Sequence, residues 1–503
     1  MVGAYAFLSE VRAPLPNQLL KVCARLDKAH LGVFASSMPS DSTSHRQSLH
    51  RHIGTLGVLL LTLSIASPGA SVFQAGLVTF KLTGTSLVVG ALLGFGISVI
   101  ISLIYAELAA SFPHAGGMYA PVGEVLGPHA GFVVQILWLV GGPTTPAFFA
   151  FGIAGYIHFL VPLIPTYVLA MTAIVLATMM SILNLRTNSW ITGAFLSFEV
   201  IGIIIFSGLC LMHPARSLGE VLLHPVIAGQ SVAIPASFST IGMSVVLMAG
   251  ACGGAGTAAF FGEEMCDAKR RIGRVVLLAA IIMPTLVCLP LVLFAMSASD
   301  LQSAMSAETP FADFIAKTGG EKLRQVINLG VAASIFNALL ACIIGWTRVF
   351  YSTGRDRLFP EGISRFLVRV HSRFHSPWGA ALLLGAISIA ACALGERFIY
   401  VLSSGEVYST ALIGLSALIG RRRRLTGQNG IYRTPLFPMF PLLLLLWTVI
   451  TIGVSYEDPE NGRPGMFIWL AVIGLASWYY RFVLKPKSWS AHIPSEQPLE
   501  PLV

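Results

Sequence analysis

The chain has 503 residues and a formal net charge of +9, yet only 11% of its residues are charged and 55% are hydrophobic. A typical soluble domain is roughly 25% charged, so this composition excludes an ordinary soluble globular protein. Apolar runs close to the ~20 residues needed to cross a bilayer recur along the whole chain. We therefore predict an all-α polytopic membrane protein.

The apolar runs predict twelve transmembrane helices, here called spans one to twelve. They begin near residues 53, 85, 130, 165, 189, 238, 272, 324, 377, 397, 434 and 465. Residues 1–52 form a polar N-terminal tail and residues 485–503 a C-terminal tail. The N-terminal tail has no apolar core of the kind found in a cleaved signal peptide, and Met38 is an alternative start.

The basic residues predict the orientation. If both termini are cytoplasmic, 25 of the 32 Lys and Arg residues lie inside and 7 lie outside. This asymmetry follows the positive-inside rule and predicts a multi-pass protein of the plasma or inner membrane. It also explains the positive charge without nucleic acid, because KRRIGR (269–274) and RRRR (421–424) directly follow spans. The seven cysteines have no paired spacing, so we expect no disulfide, no metal site and no cofactor.

Span one carries an interruption at its midpoint, SIASPGASVF (64–73). Proline cannot donate to the i−4 carbonyl, and glycine weakens a helix. A break in hydrocarbon frees backbone polar groups that something must bind.

Span six has a matching interruption, at Gly250, Gly253, Gly254 and Gly256. A five-span repeat reverses direction when it recurs, so residues 53–213 and 238–419 are predicted as inverted repeats, with residues 434–484 as two added helices. Matched broken helices in inverted halves indicate a transporter's binding site. The simpler alternative is a kink or a close-packing surface, which we expect for Gly90 and Gly94 in span two.

Four stretches resemble one family in particular. They are SPGASVF in span one, YAELAASFPHAGGMYAPVGEVLGPHAGF (105–132), FFGEEMCDAKRRIGR (260–274) and RVFYSTGRDRLFP (348–360). Together they make the chain similar to the amino acid–polyamine–organocation transporter superfamily. The resemblance implies the leucine-transporter type of fold and alternating-access transport of amino acids or related amines.

The resemblance also implies a substrate site at the two breaks. Half-helix amides of span one suit a carboxylate and carbonyls of span six suit an ammonium group. The site residues carried over are Ser67, Gly69, Ala70 and Ser71 for the carboxylate, and Ala249, Gly250, Ala251 and Cys252 for the amine, with Gly254 in the break. Many relatives have an aromatic gate just before the break in span six, which is missing here. Thr144, Thr145 and Phe148, at an interruption in span three, are either pocket or packing residues.

Charged residues within spans are functional candidates because they are costly there. Glu199 in span five and Glu406 in span ten are such residues, and we expect Glu107, Glu263 and Arg348 to form a cytoplasmic gate. Burial favours the neutral acid, so Glu199 can carry a proton. Alternatively, hydroxyls or a loose end of span one hold Glu199 and it never titrates. Span eight offers Ser334 and Asn337 but no adjacent hydroxyl pair, which favours proton coupling or exchange over sodium.

Other function classes fit less well. No HExxH or GxSxG motif occurs, which argues against an enzyme. A non-transporting amino acid sensor with the same fold stays open. The expected partners are a small amino acid or amine, protons and the lipid bilayer, whereas the sequence identifies neither the substrate nor an accessory subunit.

Overall fold

The computed structural model describes residue 49, residues 53–160, 163–229, 232–403, 405–428 and 431–485, and residues 489 and 491. The predictions for the N-terminal tail, for a start at Met38 and for most of the C-terminal tail lie outside these residues.

Helices make up most of the described chain. The helices of the first half, in order, are α1 Thr55–Ala66, α2 Pro68–Ala70, α3 Leu77–Thr83, α4 Leu87–Ser111, α5 Tyr119–Leu126, α6 Pro128–Gly141, α7 Thr144–Leu160, α8 Thr166–Ser181, α9 Leu185–Met212 and α10 Leu218–Leu223. A π-helical turn, Ser71–Gly76, joins α2 to α3, and a 3₁₀ turn, Gly84–Ser86, joins α3 to α4.

The second half begins after a two-stranded antiparallel hairpin, β1 Val226–Ile227 and β2 Ile234–Pro235. Its helices are α11 Phe238–Ala251, α12 Ala268–Ser297, α13 Leu301–Ser306, α14 Pro310–Gly319, α15 Glu321–Arg355, α16 Glu361–Leu367, α17 Trp378–Cys392, α18 Glu396–Ser403, α19 Glu406–Arg422, α20 Met439–Glu457 and α21 Gly462–Tyr479. A 3₁₀ segment, Ala255–Phe261, follows α11, and a π-helical turn, Tyr480–Leu484, follows α21.

Eight helical stretches in the described residues are long and apolar enough to cross a membrane. They coincide with nine predicted spans: one to three, five to eight, eleven and twelve. Eight stretches cover nine spans because spans one and two form the continuous stretch Thr55–Ser111. Spans four and nine correspond to the shorter apolar helices α8 and α17, and span ten is divided into α18 and α19. The all-α polytopic architecture is confirmed, while the number twelve and the inverted repeat stay predictions.

The core forms around two helices. The long helix α15 packs against α1, α7, α9 and α17, and its second half is almost wholly buried. Helix α4 packs tightly against α11 and α12. Gly90 and Gly94 face the α11 backbone so closely that a Cβ atom would lie 2.6 Å from the Ser244 carbonyl oxygen and 2.7 Å from the Ala249 nitrogen, respectively. Small residues thus bring the backbones of α4 and α11 together, as is usual between membrane helices.

The molecule has two distinct ends. The arginine-rich end contains Arg348, Arg355 and Arg421, each paired with a glutamate. The opposite end contains the β1–β2 hairpin and α10, α13 and α14. There Thr85 bonds the backbone of Val226, and Arg216 bonds the carbonyls of Ala298 and Ser299.

Candidate functional site

The break in the first span is a single residue wide. Ser67 has left-handed backbone angles (φ 46°, ψ 86°), which end α1, and Pro68 at once begins α2. The Ala70 amide donates to the Ser67 hydroxyl (3.3 Å), and the Ser71 amide donates to the Ser67 carbonyl (2.9 Å). The first-turn amides of α2 are therefore capped from inside the protein.

Glu199, from the middle of α9, completes this cap. One oxygen of its carboxyl group, Oε1, accepts hydrogen bonds from the Gly69 amide and from the Ser67 hydroxyl (3.2 Å for the latter). A carboxylate at a helix N-terminus is stabilised by the amides and by the helix dipole. The Ser67 hydroxyl and the broken end of the first span thus hold Glu199, which is the arrangement that the alternative interpretation of the sequence describes. Glu199 also occupies the Gly69 amide, which the sequence analysis assigns to a substrate carboxylate.

The other side of the Glu199 carboxyl group faces polar atoms that lack partners. Within the described chain, Glu199 Oε2, Ser334 Oγ and both side-chain polar atoms of Asn337 are buried and make no hydrogen bond of normal geometry, although Ser334 and Asn337 lie near enough to act on the Glu199 carboxyl group. Ser334 and Asn337 lie on α15 and are 3% and 0% exposed. Gly69 is wedged between the two helices, because a Cβ there would lie 2.3 Å from Ser334 Oγ and 2.9 Å from Glu199 Cγ. Buried polar atoms without partners are rare and indicate a site for a proton, an ion or a water molecule.

The break in the sixth span lies directly against the first. Helix α11 ends at Ala251, Cys252 caps it, and Gly254 takes φ +101°, a conformation that favours glycine. A Cβ on Gly254 would lie 2.7 Å from Ala66 Cβ, the last residue of α1. The two interruptions that the sequence predicts are therefore in contact.

The residues predicted to bind an amine surround this second break. Gly250 and Gly254 are exposed, whereas Ala249, Ala251 and Cys252 are buried. The Gly250 carbonyl accepts the Gly253 amide (3.0 Å), and the Cys252 carbonyl accepts the Ser98 hydroxyl from α4 (2.6 Å). Open space thus reaches the backbone on both sides of Cys252.

Aromatic side chains pack on both sides of the breaks, one cluster toward α14 and one toward the arginine-rich end. No aromatic residue directly precedes the break in α11. On one side Phe73, just after the first break, packs against Phe206 (ring centroids 5.3 Å apart) and against Phe311 of α14 (6.2 Å). Toward the arginine-rich end, Phe260 packs between Trp138 (5.6 Å) and Trp346 (5.1 Å). The sequence offers no local signal for these clusters, because their members come from different helices.

A cavity of about 680 Å³ opens beside Phe73, toward the end that contains α14. Its wall is mainly apolar and comes from the first span, α7, α14 and α15. Phe148 lines this cavity, as do the polar residues Gln74, Tyr156 and Asn328, which the sequence reasoning missed. Thr144 does not line it; its hydroxyl instead bonds the Gly141 carbonyl (2.6 Å) at the interruption between α6 and α7, beside the half-buried Thr145.

Glu406 begins α19, immediately after an interruption in the tenth span. Its side chain is exposed although its neighbours Gly405 and Ser409 are buried. It acts electrostatically on Tyr105 of α4, and the Tyr105 ring in turn packs on Gly256 beside the second break. Glu406 thus lies near that break.

Three ion pairs close the arginine-rich end. The three predicted gate residues do not pair with one another, because each binds a partner outside the predicted set. Arg348 binds Glu264 (2.9 and 3.3 Å), not Glu263. Glu263 instead receives both terminal nitrogens of Arg355 (2.7 and 2.8 Å) and the Ala115 amide. Burial alone would raise the pKa of Glu263, but the Arg355 guanidinium outweighs it and lowers that pKa to about 2.

Glu107 has its own set of donors. Its carboxylate accepts hydrogen bonds from Arg421 Nε (3.0 Å) and Nη2, from the Thr426 hydroxyl (2.9 Å) and from the Thr434 amide (2.8 Å). Glu107 therefore joins the end of α4 to the end of α19 and the loop that follows it.

The described residues hold no cluster of three or more His, Cys, Asp or Glu side chains suited to a metal ion.

The profile of the amino acid permease family matches residues 53–478. The chain belongs to this family. Amino acid permeases of this type are part of the amino acid–polyamine–organocation superfamily, which the sequence motifs indicated.

Curated relatives of this permease share about a quarter of its residues. An uncharacterized transporter of Mycobacterium tuberculosis is 26% identical over 401 residues, covering 78% of this chain and 87% of the relative. The human Asc-type amino acid transporter 1 is 25% identical, covering 84% and 81% of the two chains. The human large neutral amino acids transporter small subunit 2 is 24% identical, covering 82% and 76%. Both breaks, Glu199 and all three ion pairs of the permease lie inside the matched range.

Proposed function

We propose that this permease is a secondary active transporter that moves amino acids or related amines by alternating access. Membership of the amino acid permease family, and relatives named as amino acid transporters, support this proposal. Its architecture in this proposal is twelve spans in two inverted five-helix repeats plus two helices, in a cell membrane, with both termini cytoplasmic. The arginine-rich end then faces the cytoplasm.

One observation carries the proposal: the two broken helices meet, with Gly254 against Ala66. Two adjacent half-helix ends place amide dipoles and carbonyl groups around one point at the middle of the bundle, where a zwitterion can be held at both its charges. The carboxylate lies at Ser67, Gly69, Ala70 and Ser71, and the ammonium group at Ala249 to Cys252, beside the exposed Gly250 and Gly254.

Glu199 supplies a means of coupling. Its carboxylate occupies the Gly69 amide and the Ser67 hydroxyl, which are the groups that a substrate carboxylate needs. Two carboxylates cannot share these donors as anions because like charges repel in a low-dielectric site. Protonation of Glu199 would weaken its bond to the amide and let it turn toward Ser334 and Asn337, whose polar atoms lack partners. A proton would thereby enter together with the substrate.

The two ends supply the gates. Opening toward the cytoplasm requires separating the pairs Arg348–Glu264, Arg355–Glu263 and Arg421–Glu107. Opening toward the outside requires α14 to move from Phe73, where Phe311 packs. In the present structure the three ion pairs are formed and the cavity lies on the α14 side, as expected for a state closed toward the cytoplasm.

The decisive experiment is uptake into proteoliposomes. A panel of labelled alanine, serine, leucine, phenylalanine, lysine and putrescine is tested with and without an inward proton gradient, and with sodium replaced by potassium. Glu199→Gln is compared with Glu361→Gln, a control at an exposed carboxylate on α16 that pairs with Arg365 in the next turn.

We expect the gradient to drive uptake by the parent and by Glu361→Gln but not by Glu199→Gln, because an amide can accept the Ser67 and Gly69 bonds but cannot carry a proton. Uptake that depends on sodium would refute proton coupling, and gradient-driven uptake by Glu199→Gln would remove Glu199 from the coupling. Binding of a panel member without uptake would favour the sensor. Uptake only after internal loading of substrate would identify an exchanger.

A further inference from the structure

We propose that Cys252 and Cys288 form a dithiol that a small peroxide oxidises to a disulfide, and that this disulfide immobilises the break in the sixth span. The first half of the inference rests on sulfur geometry alone. The second half rests on the proposed function, because it requires that this break moves during transport.

The two sulfur atoms lie 3.4 Å apart. Cys252 is the C-cap of α11 and Cys288 lies in the second half of α12, 36 positions later in the sequence. Both are buried, at 1% and 8% exposure. In the part of the chain that the structure describes, the remaining free cysteines make no sulfur–sulfur contact.

Helix α4 contacts both cysteines. The Cys288 thiol lies 3.3 Å from the Ala91 carbonyl of α4, and the Cys252 carbonyl accepts the Ser98 hydroxyl of the same helix (2.6 Å). A disulfide bond is about 2.05 Å long, so the sulfurs must approach by about 1.4 Å.

The backbone beside the pair is exposed at the break. Gly250 and Gly254, on either side of Cys252, are exposed. Among the described residues, apart from the adjacent residues and the backbone of α11 itself, no atom lies within 4 Å of where a Cβ on Gly250 would be, so a molecule the size of a peroxide has room beside Cys252.

The chemistry balances with hydrogen peroxide as the two-electron oxidant. The thiolate of one cysteine attacks a peroxide oxygen, which forms a sulfenic acid and, after proton transfer, releases one water. The second thiol then attacks the sulfenic sulfur, the S–S bond forms and a second water leaves. Two thiols and one peroxide thus give one disulfide and two waters.

The disulfide would join the end of α11 to α12 beside the substrate-binding break. Because Gly254 contacts Ala66 of the first break, immobilising one break restrains both. We therefore expect oxidised protein to lose most of its uptake and reduced protein to recover it.

The test treats purified protein with hydrogen peroxide, blocks free thiols with N-ethylmaleimide and maps disulfides by mass spectrometry of peptides, with uptake measured in parallel. The variants are Cys252→Ser and Cys288→Ser. Cys392→Ser is the matched control, because Cys392 is buried but contacts no other sulfur among the residues that the structure describes. Elution of each variant as a single detergent-solubilised species verifies folding, and Cys252→Ala and Cys288→Ala replace any variant that fails this.

We expect a Cys252–Cys288 disulfide and at least a fivefold loss of uptake in the parent and in Cys392→Ser, reversed by dithiothreitol, and no peroxide effect in the two single variants. Alkylation of both thiols after peroxide treatment would overturn the dithiol whether or not the protein transports anything. A mapped disulfide with unchanged uptake would leave the transporter reading intact but contradict the immobilisation. Failure of the reduced parent to transport any panel member would count against the proposed function alone.

Discussion

Replacement of Gly254 by alanine adds a single carbon atom at the contact between the two breaks. The substitution forces a side chain into φ +101°, which costs about 1 to 2 kcal/mol. It also places Cβ 2.7 Å from Ala66 Cβ and 3.0 Å from Ala66 Cα, about 1 Å closer than an ordinary carbon contact. Overpacking of this kind costs about 1 to 3 kcal/mol. We expect a total destabilisation of about 2 to 5 kcal/mol and loss of uptake.

Gly250→Ala is the matched control. Gly250 lies in the same break region, but it is within α11 and its added Cβ would meet nothing within 4 Å. Alanine favours a helix over glycine by up to about 1 kcal/mol, so this variant should be as stable as the parent or slightly more so.

The assays are the midpoint of thermal unfolding in detergent and the initial rate of uptake. A second-site change, Ala66→Gly, removes the nearer clashing atom and should restore part of the stability of Gly254→Ala, but not the part due to its backbone angle. Equal behaviour of Gly254→Ala and Gly250→Ala would refute the reasoning, as would the absence of any rescue by Ala66→Gly.

Three further predictions follow from neighbouring features. Gly254→Leu should leave the protein in the membrane but abolish uptake, because its larger side chain fills the break beside Ala66; membrane fractionation with uptake measures both, and retained uptake would contradict the site. The double change Ser67→Leu with Gly69→Leu removes the cap on α2 and places a side chain against Ser334 and Glu199. Substrate binding measured by isothermal calorimetry should therefore disappear. An unchanged affinity would argue against the carboxylate role of these residues. At the arginine-rich end, the pKa of Glu263 is lowered to about 2. Ionisation of Glu263 therefore stabilises the fold by about 3 kcal/mol relative to the protonated form at pH values above its ordinary pKa of 4.5, and this contribution is lost as the pH falls from 4.5 toward 2. Glu263→Gln should therefore flatten the dependence of unfolding on pH below 4.5, and a slope equal to that of the parent would exclude this pair as its source.

Sequence reasoning succeeded where the signal is local. Apolar runs, the Pro–Gly step after Ser67 and the glycines that follow Ala249 are properties of neighbouring residues, so the helices and both interruptions could be read directly. Glu199 was also visible, because a carboxylate in the middle of an apolar run stands out without knowledge of its neighbours.

Contacts between distant residues were not accessible in this way. Glu199 accepts a hydrogen bond from Gly69, which is 130 residues away in sequence. Arg348 binds Glu264 and not the adjacent Glu263, and this difference depends on the direction in which each glutamate side chain points. The sulfur pair was hidden for the same reason, since no short spacing marks it. The aromatic closure at Phe73 depends on α14, whose docking the sequence does not encode locally.

The hydrogen bonds of Glu107 can form only late in the synthesis of the protein, because their donors lie near the C-terminal end of the chain. This carboxylate is 1% exposed, and its guanidinium partner, Arg421, is synthesised 314 residues later. At a translation rate of roughly 5 to 20 residues per second, the ribosome needs roughly 15 to 60 seconds to supply it. During that interval α4 cannot settle into its final position unless the Glu107 carboxyl group stays hydrated. A nascent chain that stops before Arg421 carries all the residues of both breaks yet lacks the guanidinium that holds the end of α4.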